Sequence, residues 1–551
     1  MKKIILSAAF ALITFCASAA FGDIFSEMYL NYLVMDDDAS TDYPKVWVIG
    51  PSSAGSTQPN LSLSIPTAVT HDGVTYRVTQ IDAKAFSGRT NIVQAFIGYG
   101  ITHIGNEAFK GCSKLVNVRI PSSIQSIGDN AFASCSALKE VNIANDDPST
   151  FTTSASAFPS NSDMTLGVAK TNDLRTVTAF NNLSQYSKFA TIELSSAAYD
   201  FTTDDSFAMC VTKAPSKNVP GEVKLVGVFG NSTGAFAPKA TYTHSVYSYK
   251  LVATGFRSCK DQTQIKSFDF SNATNLKTID CYTFSGCTNL TSVNLGSTVD
   301  QIELYAFENV PISSITIPKS VSYIGYLAFN KCPNLSAISV DSNNPFYKSS
   351  YGVLYMYLKG DKWDLVCCPA AFPYTAFYEY MFPSQVTVID CNAFAFCTNL
   401  KTIHIPYGVQ KLKDYLFNAA LQEVKIPGSV SEFDAEAFGN ASGLQRIFIN
   451  ITTPPTITIF PATPANLYVP YGFVSNYKSA AFWKNCVNIQ DGSYDVPEAC
   501  TKTVSGTLLN DVRSGFTITS TAATTINGTS YDGTMKLTSQ QAPTEGATLK
   551  I

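Results

Sequence analysis

The chain carries little charge and few histidines. Charged residues make up 15% of its 551 positions, against about a quarter in an average protein. The net charge at pH 7 is −4, only four histidines are present, and no stretch is strongly basic. Proteins that bind nucleic acid or anionic membrane surfaces usually carry clustered lysine and arginine. The composition therefore argues against both kinds of partner.

Residue patterns for metal or cofactor chemistry are also scarce. His71, His103, His244 and His404 show no metal-ligand spacing, and the sequence has no Cys-x-x-Cys pair. The acidic run Asp36–Asp38 lacks the spacing of a calcium loop and is interpreted as a solvated turn. The sequence therefore predicts no metal site and no cofactor.

One short stretch matches a catalytic pattern. Residues Gly230–Gly234 fit G-x-S-x-G, in which a serine nucleophile sits on a sharp turn between a strand and a helix. The segment Ala235–Pro238 follows where the helix would have to begin, and it is a poor helix former. The match is interpreted as chance, and the chain is predicted not to be an enzyme and to have no catalytic residue.

Long apolar runs are missing as well. The N-terminus combines a charged start at Lys2 with an apolar core that ends at Phe15 and a small-residue cleavage site at Ala19. This order is typical of a signal peptide, and the apolar core is too short to span a bilayer. The alternative is lipid attachment at Cys16, which the bulky Phe15 disfavours. We expect an exported protein without a transmembrane segment.

The sequence does contain a repeat. Residues 101–143 hold one motif twice, of the form I-G-x-x-A-F-x-x-C-x-x-L-x-x-V-x-I. Gly105 and Gly128 are 23 positions apart, as are Phe109 and Phe132. A fixed period in the twenties with leucine-like residues at fixed offsets is the signature of a leucine-rich-repeat solenoid.

The offsets within the motif indicate how each coil folds. In Leu115-x-x-Val118-x-Ile120 the last two apolar residues alternate, as a strand with one buried face requires, and Pro121 ends that strand because it has no N–H to donate. Phe109 is predicted to anchor the interior. One coil cannot bury its own apolar edge, but stacked coils can. The predicted fold class is therefore a β-rich solenoid of about 23-residue leucine-rich repeats with parallel strands.

The cysteines follow the repeat. The sequence has 14 of them, and two groups recur at fixed repeat positions. Six lie three residues after a repeat phenylalanine, namely Cys112, Cys135, Cys259, Cys287, Cys332 and Cys397. Cys281 and Cys391 share a second position. Cysteines that recur in this way are interpreted as packing residues. A strained disulfide between Cys367 and Cys368 is kept as an alternative.

The repeats fall into two blocks, each preceded and followed by cap-like segments. The predicted order is a signal peptide at 1–22, a β-rich N-terminal cap at 23–77, repeats at 78–143, a C-terminal cap at 144–193, a second β-rich cap at 194–250, repeats at 251–449 with an insertion at 341–384, a C-terminal cap at 450–491, and a Ser/Thr-rich tail or small β element at 492–551. The chain is thus predicted to hold two capped tandem modules. The insertion is aromatic-rich and is interpreted as a packed hairpin excursion.

The repeat unit resembles that of the BspA-like leucine-rich-repeat surface proteins. The segments Tyr351–Tyr355 and Leu365–Pro369 are similar to that family's repeat interruption, and Leu467–Pro470 is similar to its ending. The resemblance covers roughly residues 24 to 491. It implies a secreted or bacterial cell-surface protein that binds other proteins, such as host matrix proteins or the surface of another cell, and it implies no catalytic residue.

The outward strand residues of the stacked coils are the candidate ligand-binding surface. They form a broad, mildly polar sheet face that suits a protein ligand bound through many weak contacts. The six candidates are Asn294, Thr316, His404, Lys425, Arg446 and Phe448. Three alternatives stay open: a face that is merely solvated, a glycan-binding module, for which more outward aromatics would be expected, and an unrecognised enzyme with a pocket in 341–384.

Overall fold

The structure is a computed structural model that describes residues 20–36, 43–171, 175–230, 233–458 and 466–492, and five short strands between 504 and 539. Its parallel strands stack coil upon coil, which confirms the predicted repeat solenoid. Residues 1–19 of the predicted signal peptide, Cys16 among them, lie outside the described residues. So do Asp37 and Asp38 of the acidic run and Ser232 of the G-x-S-x-G match.

The first stretch of the chain begins with antiparallel strands, continues with parallel coils and ends with a helix between two strands. Its elements are β1 (Ile24–Glu27), β2 (Leu30–Asp36), β3 (Lys45–Pro51), α1 (Ser53–Thr57), β4 (Leu61–Ile65), β5 (Ala68–His71), β6 (Val74–Ile81), β7 (Ile92–Ile97), β8 (His103–Ile104), β9 (Asn117–Ile120), β10 (Ser126–Ile127), β11 (Glu140–Ile143), β12 (Thr152–Thr153), β13 (Thr165–Ala169), α2 (Arg175–Asn181) and β14 (Thr191–Ser195).

The second stretch repeats the antiparallel start and then the coils. Its elements are β15 (Phe201–Thr202), β16 (Phe207–Lys213), β17 (Gly221–Val228), β18 (Ala235–Phe236), β19 (Thr241–His244), β20 (Tyr247–Thr254), β21 (Ser267–Asp269), β22 (Thr278–Ile279), β23 (Ser292–Asn294), β24 (Gln301–Ile302), β25 (Ser314–Ile317), β26 (Tyr323–Ile324) and β27 (Ala337–Val340).

The third stretch starts in the same way and ends with a second helix between strands. Its elements are β28 (Tyr347–Ser350), β29 (Val353–Leu358), β30 (Lys362–Cys367), β31 (Ala376–Phe377), β32 (Val386–Ile389), β33 (Thr402–His404), β34 (Lys411–Leu412), β35 (Glu423–Ile426), β36 (Glu432–Phe433), β37 (Arg446–Ile449), β38 (Asn466–Val469), α3 (Val474–Ser479) and β39 (Asn488–Asp491). The tail adds β40 (Val504–Ser505), β41 (Phe516–Thr519), β42 (Thr524–Ile526), β43 (Thr529–Tyr531) and β44 (Thr534–Ser539).

All three stretches open with the same strand arrangement. Three antiparallel strands are followed by a parallel pairing with the first coil strand, in the orders β1-β2-β3-β6, β15-β16-β17-β20 and β28-β29-β30-β32. The first two starts also share an aromatic pair, since Phe25 stacks on His71 at 4.2 Å and Phe201 stacks on His244 at 4.4 Å. The insertion is therefore a three-stranded meander that restarts the repeats rather than a simple hairpin.

The described residues fall into two compact units. Unit one lies within Met1–Ser232, Ala237–Cys259 and Asn272–Thr283, and unit two within Thr233–Phe236, Lys260–Ser271 and Phe284–Ile551. The first two antiparallel starts both belong to unit one. The module boundary between residues 193 and 194 stays a prediction.

Stacked phenylalanines form the core of the coils. In unit one the rings of Phe86, Phe109, Phe132 and Phe158 follow one another at centroid distances of 5.0, 5.2 and 5.4 Å. The Phe158 coil is one more than the repeat motif indicated, because its sequence has neither the Ile-Gly pair nor the cysteine. In unit two Phe307 lies between Phe284 and Phe329, at 5.3 and 5.7 Å. These side chains are at most 4% exposed.

Hydrogen bonds join each coil to the next at the phenylalanine corner. The N–H groups of Glu107, Phe109 and Gly111 donate to the carbonyls of the following coil at 2.7 to 2.8 Å. The close spacing also explains the repeat glycine. A Cβ on Gly105 would lie 2.5 Å from the backbone nitrogen of Ala83. The glycine is thus needed for the close approach of two coils.

The repeat cysteines occupy a defined packing position. Cys112, Cys135 and Cys332 are fully buried, and each thiol lies 3.0 to 3.2 Å from the carbonyl oxygen of the preceding coil's phenylalanine. None of the twelve described cysteines forms a disulfide, Cys367 and Cys368 included. The thiol therefore fills the gap beside the phenylalanine and also satisfies a backbone carbonyl.

Burial of these thiols leads to a labelling prediction. We expect native protein to react slowly with iodoacetamide at Cys112, Cys135, Cys287, Cys332 and Cys397, and denaturation without reductant to make all five reactive. Cys281 and Cys391 are half-exposed and serve as internal controls that should react first. Mass spectrometry of the alkylated peptides measures both rates. Recovery of any of the five as a disulfide-linked peptide in a non-reduced digest would contradict the packing role.

Candidate functional site

Four of the six candidate residues lie together on one sheet of unit two. The sheet has the order β31-β33-β35-β37-β38-β39, and all its strands are parallel. The register places His404 beside Lys425 and Lys425 beside Phe448. Arg446 lies in the adjacent row, beside Glu423. We call this surface, with Tyr378–Tyr380 and Tyr468 at its two ends, the strip.

The other two candidates lie elsewhere in unit two. Asn294 is on β23, in the sheet β18-β21-β23, and Thr316 is on β25, which pairs with β27. Both side chains are exposed. Asn294 also has a local role, because its Oδ1 accepts from the Gly296 N–H at 3.0 Å. The structure therefore does not bring these two residues into the strip.

His404 is the most enclosed polar residue of the strip. The sequence suggested a surface histidine, but its side chain is only 12% exposed, because it lies between two glutamates and contacts the ring of Tyr378 edge to face at 5.0 Å. Its Nε2 is 3.1 Å from a Glu423 oxygen and its Nδ1 is 3.5 Å from a Glu379 oxygen. Both ring nitrogens face acceptors, which favours the doubly protonated imidazolium.

The pKa values follow from this arrangement. Burial lowers the pKa of His404, but the hydrogen bonds that its ring donates to Glu379 and Glu423 outweigh this effect, so the net pKa lies above the ordinary 6.5. Hydrogen bonding to His404 and to Arg446 lowers the pKa of Glu423 to about 2, against the opposing effect of burial. The Arg446 Nε donates to Glu423 at 2.7 Å. The strip is therefore a preorganised chain of alternating charges.

These shifts predict the pH range in which the strip stabilises the fold. The His404 contribution is fully present below pH 6.5 and is lost as the pH rises through the raised folded value. The Glu423 contribution is present above pH 4.5 and is lost as the pH falls toward 2. We expect the variant His404→Gln to lose about 1–2 kcal/mol at pH 5.5 and much less at pH 9.

Urea unfolding of wild type and His404→Gln at the two pH values measures this difference. His103→Gln is the matched control, because the His103 ring contacts the Thr102 hydroxyl at 2.7 Å rather than a pair of carboxylates. The control should cost about the same at both pH values. An equal cost of His404→Gln at pH 5.5 and pH 9 would show that the imidazolium does not form.

Aromatic side chains close both ends of the strip. Phe448 stacks on Tyr468 at 4.4 Å and lies under the Lys425 ammonium at 5.5 Å, so it is only 7% exposed. At the other end Tyr380, which is 72% exposed, stacks on Tyr378. Sequence analysis missed both tyrosines and Tyr468. The sequence signal for this end of the strip was the alternation of Phe377 with its neighbours. These residues lie inside the predicted insertion, which was not divided into repeats.

The corresponding surface of unit one is covered by its own chain. The Arg119 Nε donates to the carbonyl of Ala197 at 3.0 Å, and its guanidinium lies 3.6 Å from the ring centre of Tyr199. Next to it, the carboxylate of Asp200 is buried against Ser122. Arg119 is thus engaged within unit one, whereas Arg446 in unit two keeps 46% of its side chain exposed.

Within the described ranges, no group of three or more His, Cys, Asp and Glu side chains is placed to hold a metal ion. In the same part of the chain, no helix has the length and apolar character needed to cross a membrane.

Solved structures of several bacterial proteins are similar to this chain. A leucine rich cell surface protein from Faecalibacterium prausnitzii is 18% identical over 85% of this chain and 94% of its own, with a TM-score of 0.34. The pneumococcal vaccine antigen PcpA is 14% identical over 86% and 99%, with a TM-score of 0.34. A leucine-rich repeat protein from Bacteroides ovatus is 19% identical over 77% and 94%, with a TM-score of 0.32. No curated protein matches the chain.

The family comparison matches more of the sequence. Residues 72–187, 255–351 and 368–461 fit the BspA type leucine rich repeat region, in six copies. The three matched ranges contain the coils of the three stretches and amount to more than half of the chain. The repeat motif, the parallel coils and this match agree, and the chain belongs to the BspA-type leucine-rich-repeat family.

Proposed function

We propose that the protein is an exported, non-enzymatic surface protein that binds a protein partner through the strip of unit two and thereby mediates adhesion. The observation that carries the proposal is the in-register row of His404, Lys425, Phe448 and Tyr468, flanked by the Arg446–Glu423 pair. Membership of a family of leucine-rich surface proteins supports export and protein binding.

The chemistry of the strip suits a protein interface. Tyrosine and arginine contribute a disproportionate share of binding energy at such interfaces. Here Arg446 is held by Glu423 and Tyr380 is stacked on Tyr378, so both exposed groups are positioned before a partner arrives. Binding then costs less side-chain entropy than it would from a surface of free side chains.

The proposal predicts a loss of binding on mutation of the strip. The full chain is first screened against a panel of purified extracellular-matrix proteins by surface plasmon resonance. We expect Arg446→Ala combined with Tyr380→Ala to weaken binding of any matrix protein so found by about 100-fold, since two interface anchors are removed. Full affinity in the double variant would place the binding site elsewhere.

The matched control is Tyr471→Ala, which removes a tyrosine that is 75% exposed and lies outside the strip. It should leave affinity unchanged. Phe448→Ala is a different test, because that ring is covered by Lys425 and Tyr468, and its loss acts through the packing of the strip. The full chain is used throughout, since residues 197–200 pack within unit one and a cut at residue 193 would expose them.

A glycan ligand is the second candidate function. Sequence analysis required several outward aromatics on one face, and the structure gives unit two the exposed tyrosines Tyr374, Tyr378, Tyr380 and Tyr407. Tyrosine rings stack on sugars through their apolar faces. A glycan array read with the full chain and with Tyr380→Ala distinguishes the two. Tyr380-dependent glycan binding without any matrix-protein binding would favour the glycan candidate.

A further inference from the structure

A cavity of 230 Å³ lies in unit two beside the meander β28–β30. Its walls come from the Phe329 coil, from the meander and the segment that follows it, and from the turn after β32. Hydrogen bonds connect these walls. The Tyr347 hydroxyl accepts from the Ile324 N–H at 2.8 Å, and the Cys368 N–H donates to the Ala393 carbonyl at 2.8 Å. The cavity is therefore preformed by the packing of the coils.

Most of the lining is apolar. Phe329, Leu354 and Cys368 line the cavity and are at most 4% exposed, so they form its inner part. Tyr323 and Tyr326 also line it and are 47% and 46% exposed, so they lie at its opening. A concave apolar site with polar groups at one side is the usual form of a small-molecule site.

The size and the sulfur content of the lining narrow the ligand class. An apolar cavity of about 150 Å³ is enough for one benzene ring, so a volume of 230 Å³ admits one or two rings. Met356, Cys367, Cys368 and Cys391 all belong to the lining. Contacts between sulfur atoms and aromatic rings are favourable. The lining therefore favours an aromatic ring over an aliphatic chain of similar size.

Asp390 gives the cavity a single charged group. No cationic side chain is among the described residues that line it. The Asp390 Oδ1 accepts from the Cys391 N–H and from the Lys413 ammonium, both at 2.7 Å. Lys413 also contacts the buried Asp364 at 3.5 Å, so two carboxylates share this one ammonium. The cavity therefore disfavours a carboxylate ligand and suits a neutral ligand with one hydrogen-bond donor.

We propose that this cavity binds a small neutral aromatic molecule of one or two rings, which packs against the apolar and sulfur-bearing wall and donates an N–H or O–H to Asp390. The site is separate from the strip and does not rest on the function proposed for it. It adds small-molecule binding to a protein whose other surface suits a macromolecule.

Two cysteines allow the site to be tested in the full chain. Cys391 lines the cavity, whereas Cys281 has the same repeat position but lies in unit one. Both are half-exposed. Alkylation by iodoacetamide is followed by mass spectrometry in the presence of indole, p-cresol, hexan-1-ol or hexanoate. We expect indole and p-cresol to slow alkylation of Cys391 several-fold and to leave Cys281 unchanged.

The two aliphatic probes test the ligand class. Hexan-1-ol has a donor but no ring, so its half-protecting concentration should be about fivefold higher than that of p-cresol. Hexanoate has neither the ring nor the donor and carries a negative charge, so it should not protect Cys391. Equal protection by hexan-1-ol, or stronger protection by hexanoate, would overturn the assignment of an aromatic ligand.

Variants that fill the cavity test the place of binding. Ala370→Trp should slow Cys391 alkylation by itself and abolish the effect of indole. Ala371→Trp is the matched control, because Ala371 is the next residue, is also half-buried and does not line the cavity. It should retain the effect of indole. Met356→Trp fills the cavity from β29 and repeats the test if Ala370→Trp does not fold, as judged by circular dichroism.

Three further results would overturn the proposal: no protection of Cys391 by indole or p-cresol, equal protection of Cys281, or unchanged protection in a folded cavity-filling variant. The double variant Arg446→Ala with Tyr380→Ala should retain the protection of Cys391. This outcome would separate the cavity from the strip.

Discussion

Replacing Phe307 with alanine is expected to lower the free energy of unfolding by about 3–5 kcal/mol. The ring is fully buried and stacks on Phe284 on one side and on Phe329 on the other. Its loss leaves a cavity that neither neighbouring coil can fill, because the coils are held at a fixed spacing by the hydrogen bonds at their corners. Urea unfolding followed by circular dichroism measures the change.

Hydrogen exchange shows which coils are destabilised by Phe307→Ala. Coils of a solenoid contact only their neighbours, so amides of β25 should lose protection while those of β9 and β11 in unit one keep it.

Phe329→Ala is the comparison for the unfolding experiment. The repeat motif makes Phe329 equivalent to Phe307, but Phe329 also lines a cavity of 230 Å³, which is bordered by β29 and by the turn after β32. We expect it to cost at least about 1 kcal/mol less than Phe307→Ala, and an equal or larger cost would contradict this account.

Replacing Asp200 with alanine is expected to cost about 3 kcal/mol or more. The carboxylate is buried within unit one and accepts three hydrogen bonds, from the Ser122 N–H at 2.7 Å and from the Ser122 hydroxyl and the Val211 N–H at 2.6 Å. Alanine would leave the two backbone donors buried without an acceptor. Thermal and urea unfolding of the full chain measure the loss.

A second aspartate provides the control. Asp147 also accepts from the N–H and the hydroxyl of one serine, Ser149, at 2.9 and 2.6 Å, but it lies exposed in a surface turn. Water can replace the lost acceptor there, so Asp147→Ala should cost less than about 1 kcal/mol. Similar losses for the two variants would show that burial of the Asp200 network is not the cause.

Asp200 also predicts a pH dependence. Burial raises its pKa from 3.8 to about 6, although the three donors act in the opposite direction. Because the folded state then binds the proton more tightly than the unfolded state, this contribution is fully present below pH 3.8 and is lost as the pH rises through 6. Asp200→Asn cannot titrate. The unfolding free energy of wild type relative to Asp200→Asn should therefore fall between pH 4 and pH 7, and a flat difference would contradict the shift.

Much of the fold and part of the strip could be predicted from the sequence because the repeat is local and periodic. The offsets of Leu115, Val118 and Ile120 predict three buried side chains, and all three are fully buried, Val118 and Ile120 on β9 and Leu115 two residues before it. A constant period also fixes the register of neighbouring strands. It therefore brought His404, Lys425 and Phe448 side by side on adjacent strands, as their shared repeat position indicated.

The tertiary structure decided where the repeat is interrupted and which segments cover the outward faces of its strands. Asn294 and Thr316 have the same repeat position as the strip residues, yet they lie in separate sheets, because strand pairing depends on whole coils rather than on single offsets. The segment from Ala197 to Asp200 covers Arg119 through contacts 78 residues apart in sequence. No periodic pattern encodes such distant contacts. The repeat thus determined the coil and its core, whereas the long-range packing of the non-repeating segments decided which faces are covered and where one sheet ends and the next begins.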